Sequence, residues 1–237
     1  MPITAADPFK WKQYPGEVIV LCVRWYLRFP LSYAHVAEMM NERGLLVDRS
    51  CVWRWVQDYA PEIDKRCRPH LKPVNRSWRV DETYLKVKGK DRYLYRAVDS
   101  TGQTIDFLLT AKRDAAAAKR FLRKALNQSP NPQPRVINVD KNPAYPAAIE
   151  QLQAEGALRR RCLRQCKYLN NVVEQDHRFV KQRVWLAKGY GSFPSAWRTL
   201  QGIEAVSMIR KGRARWVGKR DVVGQARFIG NLFGLTA

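Results

Sequence analysis

The stretch Trp78-Arg79-Val80-Asp81-Glu82-Thr83-Tyr84 decides the fold. Its aromatic and branched residues read as a strand, rising out of a basic, proline-containing segment from Arg66 to Arg76. An acid in the middle of such a strand costs stability unless it is paired or holds a metal. Asp81 and Glu82 compete for that role, and strand alternation sends them to opposite faces. A second acid, Asp140, ends the apolar run Val136-Ile137-Asn138-Val139. A third, Glu174, lies in a helical segment after Asn170-Asn171. Three acids on separate elements of a basic chain point to a metal site acting on phosphate.

On the N-terminal side, residues 1–14 read as a loose arm. Apolar residues recur at helical spacing from Glu17 to Leu27, and Phe29-Pro30 stops them. Ser32 is an N-cap for a helix through Asn41 or Glu42, with Gly44 as its C′ residue. Asp48 or Ser50 caps a third helix, Ser50 to Tyr59, which Pro61 closes. This is a helix-turn-helix with a supporting helix. Its third helix would offer Arg49, Arg54 and Gln57 to phosphates and base edges and pack through Val52, Trp55 or Val56, and Tyr59. A three-helix bundle that only packs or dimerises is the alternative.

On the C-terminal side come three strand-like runs, Trp78 to Val87, Arg92 to Val98 and Thr104 to Thr110. Gly89 and Gly102 in the short breaks indicate antiparallel hairpins. A helix from Asp114 to Asn127, a strand from Arg135 to Val139 and a helix from Pro143 to Glu155 follow. A basic segment, Leu158 to Arg164, then precedes a helix around Asn171 to Arg183. The expected class is α/β, with an α+β mixed sheet: a ribonuclease H-like catalytic domain preceded by an all-α helix-turn-helix domain. In that fold the first and fourth strands lie side by side and parallel, so Asp81 and Asp140 would meet. The expected division is 1–61 for the arm and helix-turn-helix, 62–76 for a basic linker, 77–186 for the catalytic domain and 187–237 for a basic helical region.

Charge narrows the partner. The 237 residues carry a formal +22, and residues 157–237 hold 17 basic against 4 acidic side chains. Nucleic acid is the first expectation for a polyanionic partner. The longest early apolar run, Val18 to Val23, is too short to cross a bilayer, and no signal-peptide pattern is visible. Five scattered cysteines read as reduced thiols of a cytoplasmic protein. There is no P-loop or glycine-rich dinucleotide fingerprint, and three histidines make a histidine-driven hydrolase a poor competitor.

Hard oxygen ligands suit Mg²⁺ or Mn²⁺, and two ions about 4 Å apart can activate an attacking oxygen and stabilise a leaving one. Asp81 and Asp140 would bridge such ions, and Glu174 would close the site from its helix. Each acid alone has a structural alternative. Asp81 can pair with an arginine of the sheet, Asp140 can cap the helix beginning at Pro143, and Glu174 can pair with Arg178 one turn on. Lys181, two turns after Glu174, is placed to hold a DNA backbone, and His177 lies between them. Farther on, Leu200, Ile203, Val206 and Ile209 give a helix with one apolar face. It ends at Gly212, and Arg213, Arg215, Lys219 and Arg220 follow around Trp216, available to phosphates.

These stretches resemble the DDE transposases of small bacterial insertion sequences, most closely the insertion-sequence-six family. The resemblance rests on W-R-V-D-E-T-Y at 78–84, Y-L-Y-R-A-V-D-S-T-G at 93–102, N-V-D-K-N-P-A-Y at 138–145, K-Y-L-N-N-V-V-E-Q-D-H at 167–177 and L-Q-G-I-E-A-V-S-M-I-R-K-G at 200–212. It implies that Asp81, Asp140 and Glu174 are the catalytic metal-binding triad and that Lys181 is the basic residue following the glutamate. Residues 141–173 are one residue fewer than the family's usual spacing, which a loop deletion accommodates. The resemblance also implies binding of terminal inverted repeats, 3′-end nicking, strand transfer into target DNA, replicative cointegrate formation and at least a dimer. A ribonuclease H-like nuclease or resolvase, and an inactive DNA-binding repressor, remain as alternatives.

Overall fold

The structure is a computed structural model that describes residues 8–128, 130–160, 162–166, 169, 171–186 and 189–235. Residues 1–7 of the expected arm, Arg161, and Lys167, Tyr168 and Asn170 of the K-Y-L-N-N motif lie outside the described residues, as do residues 187–188. The chain divides into two compact units. One takes the residues up to Arg68, Arg198–Gly212 and those from Trp216 on; the other takes Pro69–Trp197 with Arg213–Arg215.

The helical unit contains α1 (Gly16–Arg28), α2 (Tyr33–Asn41) and α3 (Arg49–Cys67). The Ser32 hydroxyl accepts from the His35 N–H at 3.0 Å, and Asp48 accepts from the Ser50 N–H at 2.7 Å, so both helices start at side-chain caps. The expected stop at Pro61 does not occur: α3 runs on to Cys67. A proline inside a helix forfeits one backbone bond, at a cost of about 3 kcal/mol. Burial of Ile63 and Cys67 on the next turn offsets that loss. Within the described part of the arm Phe9 stacks on Tyr59 at 5.2 Å and Tyr14 lies edge-on to Trp55 at 5.2 Å, while Lys10 to Gln13 between them are exposed.

Later in the chain, α7 (Phe193–Arg210) and α8 (Val222–Asn231) follow, and α8 occupies part of what read as a basic tail. Gly202 to Ile209 of α7 are all buried, so this is a core helix and not a surface helix with one apolar face. Gly202 lets it approach closely: a Cβ there would lie 2.5 Å from the Ala60 Cβ and 2.6 Å from Leu27 Cδ1.

In the other unit the five-stranded sheet has the order β3-β2-β1-β4-β5. It comprises β1 (Ser77–Val87), β2 (Lys90–Asp99), β3 (Thr104–Thr110), β4 (Val136–Val139) and β5 (Leu163–Gln165). The first three strands pair antiparallel, and β1–β4 and β4–β5 pair parallel, which is the ribonuclease H-like arrangement. Lys88 and Gly89, both at positive φ (50° and 74°), make the two-residue turn between β1 and β2. The edge strand β5 escaped the sequence reading because it is three residues long and mostly exposed, with no alternation to detect.

Helices α4 (Ala115–Leu126) and α5 (Ala144–Ala154) belong to the same unit, and Asp114 caps α4. Trp78, Val80, Tyr95, Ile137 and Val139 of the sheet share a core with Phe121, Leu122, Tyr145 and Ile149 of these helices. Each such fully buried side chain contributes about 1.5–3 kcal/mol. Trp78 and Val80 alternate with Arg79 and Asp81, so the two acids of the opening stretch part company at β1. Helix α6 (Asn171–Leu186) also packs against β1 and β2. Among the described residues, no helix is long and apolar enough to cross a membrane.

Candidate active site

Two of the acids follow the paired stretch of β1 and β4. In the parallel pairing of β1 with β4, Ser77 lies opposite Val136, Trp78 opposite Ile137 and Arg79 opposite Asn138. Asp81 and Asp140 each lie two residues past the last of these pairs, on neighbouring strands about 4.8 Å apart or just beyond their end. Asp140 follows the last residue of β4 and is held by its own loop: its Oδ1 accepts from the Asn142 N–H at 3.0 Å. The Asn142 side chain, not Asp140, accepts from the Ala144 N–H at the start of α5.

Glu174 lies exposed in the first turn of α6, a helix fixed beside Asp81 by two polar contacts. His177 Nε2 is 3.3 Å from Asp81 Oδ2, with the His177 side chain 6% exposed. Arg96, opposite Asp81 on β2, is fully buried and donates to Asp176 Oδ2 at 2.7 Å. His177 is one helical turn after Glu174 on α6. Among the described residues, no three His, Cys, Asp or Glu side chains already stand together at metal-ligand spacing. The donor set is nonetheless carboxylate oxygen with open access, Asp81 being 17% and Asp140 33% exposed. That chemistry fits a hard divalent cation and not a thiolate-ligated metal.

Glu82 goes to the opposite face and is nearly buried, its side chain 3% exposed. It accepts from the Tyr145 hydroxyl, from Asn142 Nδ2 at 3.0 Å, and from both Nε and Nη2 of Arg113. Arg113 Nη2 also lies 3.9 Å from Asp140 Oδ2. Burial, then the Glu82 charge and hydrogen bond, push the Tyr145 hydroxyl well above its ordinary range, so it stays a donor. Burial followed by the Glu82 charge raises Tyr95 to about 12. For Arg113, burial opposes the charge, but Glu82, Asp140 and Tyr145 outweigh it and raise its pKa. Arg96, Arg113, Asn142, Tyr145 and Asp176 went unassigned in the sequence. The available signal was a charged Arg96 inside the otherwise apolar run Tyr93 to Val98.

The residues expected to touch DNA divide into two groups. Arg49, Arg54, Lys181 and Arg215 are exposed. Lys181 Nζ sits 5.4 Å over the ring of Tyr84, itself 58% exposed on β1. Gln57 and Arg213 are corrections. Gln57 is buried and donates to the Thr199 hydroxyl at 3.0 Å. Arg213 is buried and donates to the carbonyls of Lys72, Thr104 and Ile105 and to the Asn131 side chain. The exposed side of the α3 N-terminus is instead Arg49, Ser50, Trp53 and Arg54.

Comparison with known proteins identifies the chain's family. A family model described as a DDE domain, of the IS240 transposase type, matches residues 75–213. The chain is 40% identical over 207 residues to the transposase for insertion sequence-like element IS431mec of Staphylococcus aureus (strain Mu50), covering 87% of this chain and 90% of that one. The same identity and coverage hold for the transposase of insertion sequence element IS257 in transposon Tn4003 of Staphylococcus aureus. Among solved structures, the magnesium complex of the HTLV-2 integrase catalytic core superposes with a TM-score of 0.46 at 16% identity, covering 61% of this chain and 97% of that one. With the DDE domain spanning more than half of the chain and relatives matched over nine-tenths of their length, the protein belongs to the insertion-sequence-six family of DDE transposases.

Proposed function

We propose that this transposase binds the terminal inverted repeats of its element, nicks their 3′ ends and joins the freed ends to target DNA, with Asp81, Asp140 and Glu174 as its catalytic residues. The observation that supports this reading is the parallel β1–β4 pairing, whose last pair lies two residues before both Asp81 and Asp140, together with the contact of His177 of α6 with Asp81. The three carboxylates would hold Mg²⁺ or Mn²⁺, two ions in the full site, supplying Lewis-acid stabilisation of the attacking and leaving oxygens. Asp81 would be oriented from β1 and Asp140 from the loop that follows β4, and Glu174 would close the site from α6. Lys181 and Tyr84 beside it offer a charge and a ring face to the DNA backbone. Arg49 and Arg54, exposed on α3, would contact the terminal repeat, and Arg215 would add a phosphate contact.

Juxtaposing two DNA ends calls for at least two copies of the chain. Replicative, cointegrate-forming movement is the outcome proposed for the element, and the bacterial cytoplasm, at the nucleoid, is where the protein would act. The test is a strand-transfer assay with labelled terminal-repeat DNA, a target plasmid and Mg²⁺, run on wild type and Glu174→Gln. Joined product from wild type alone is the expected result. Nicking without joining would instead assign a ribonuclease H-like nuclease or resolvase. Binding without either product would assign a repressor.

A further inference from the structure

We infer that Glu82 is a positioning residue for Asp140, acting by keeping the Arg113 guanidinium from closing fully on it. This rests on the reading of Asp140 as a metal ligand. One nitrogen, Arg113 Nη2, faces both carboxylates: it contacts Glu82 Oε1 directly and stands 3.9 Å from Asp140 Oδ2. Glu82 binds the arginine through Nε as well, so the guanidinium is committed to the buried acid. A cation moved into contact with Asp140 would neutralise the charge a divalent ion needs and occupy the space beside the oxygen.

A second link runs through Asn142. Its Nδ2 donates to Glu82 Oε1 at 3.0 Å while its backbone N–H donates to Asp140 Oδ1 at 3.0 Å. Glu82 thus grips the residue that orients the other oxygen of Asp140. The Tyr145 hydroxyl, donated from α5, fixes Glu82 Oε2. Among the described residues, the side-chain hydrogen bonds of Glu82 come from Asn142 of the Asp140 loop, Tyr145 of α5 and Arg113 just ahead of α4. That is the distribution expected of a buried charge whose task is to set one loop.

The arrangement has a testable asymmetry. Glu82→Gln keeps the shape but removes the charge that commits Arg113, which is then drawn to Asp140. Arg113→Met removes the competing cation, and its 47% exposed side chain is tolerant of replacement. Binding of Mn²⁺ to the DNA-free protein, followed by the loss of the free-ion electron paramagnetic resonance signal, reads the site without turnover. Folding is checked for each variant by near-ultraviolet circular dichroism.

Glu82→Gln is expected to weaken Mn²⁺ binding about tenfold, a modest figure for removing the charge that neutralises a guanidinium already 3.9 Å from a partly exposed carboxylate and leaving it to close on that carboxylate. Glu82→Gln with Arg113→Met is expected to return binding to about twofold of wild type, and Arg113→Met alone to equal or exceed wild type. A purely structural role for Glu82 predicts the opposite for the double variant, which loses two contacts and should bind worst. Unchanged binding in Glu82→Gln, or no recovery in the double variant, overturns the inference. If Glu82→Gln does not fold, Arg113→Met alone decides: weaker Mn²⁺ binding than wild type overturns the inference. Asp140→Asn separates the two levels. If it binds Mn²⁺ as wild type does, the ligand assignment fails, and the role of Glu82 fails with it. If it loses binding while Glu82→Gln does not, only the positioning role fails.

Discussion

Removing the carboxylate of Asp176 tests whether α6 is held in place by its ion pair with Arg96. The Arg96 side chain is fully buried and that of Asp176 is 13% exposed, with Nη2 and Oδ2 2.7 Å apart. Breaking a buried pair from one side costs about 3–5 kcal/mol, because the remaining charge keeps its desolvation penalty. Asparagine retains an oxygen that can accept from the guanidinium, so Asp176→Asn belongs near the lower end, about 3 kcal/mol. The loss should fall on α6, since that helix carries the aspartate and Arg96 stays within the sheet. Native-state hydrogen exchange read by mass spectrometry gives the local value. Peptides covering 171–186 should exchange about a hundredfold faster, the factor equivalent to about 3 kcal/mol at 1.36 kcal/mol per decade. Peptides of β3 should change little. Acceleration of α6 by less than about threefold would refute the reasoning and leave its docking to apolar contacts such as Val173 and Val180.

Other substitutions separate packing from binding. Arg213→Ala should destabilise by about 2–4 kcal/mol in denaturant titration, since several buried acceptors lose their donor, whereas Arg215→Ala should stay within about 0.5 kcal/mol and reduce the salt dependence of DNA binding by about one phosphate. Gly202→Ala gains about 1 kcal/mol of helix propensity, yet the clash with Ala60 and Leu27 should leave it destabilised by about 1–2 kcal/mol, seen as a lower melting temperature. Alkylation at pH 8 should label Cys51 and Cys166 well before Cys22, Cys67 and Cys162, as peptide mapping would show. Burial raises the Cys22 thiol from 9.0 to about 12, so the folded state binds the extra proton between those values. Stability is therefore full below about pH 9 and falls as pH rises towards about 12, which Cys22→Ala should diminish.

Much of the fold was legible in local chemistry. Ser32, Asp48 and Asp114 announce helix starts because a short acceptor there satisfies a free N–H, and each is a cap in the structure. The alternation of Trp78, Val80 and Glu82 against Arg79 and Asp81 assigns faces because side chains of a strand repeat every two residues. The order of strands and helices was enough to pair β1 with β4.

Local pattern could not say which polar residues go inside, because their partners are distant in sequence. Gln57 is buried by a hydroxyl at Thr199, and Arg213 by carbonyls at Thr104 and Ile105. On sequence alone both were indistinguishable from the exposed Arg54 and Arg215. Helix α7 showed one apolar stripe, while its small residues Gly202, Ala205 and Ser207 let the other sides be buried too. Around the acids, the chain announced the carboxylates, but the sheet and its loops chose their neighbours. Glu82 meets Arg113, Asn142 and Tyr145, and Arg96 meets Asp176, only when elements far apart in the chain are packed together. Sequence determines which elements form, through caps, turns and periodicity. Tertiary packing decides which charges are desolvated, because burial is a property of all the surrounding chain and not of the segment that carries the charge.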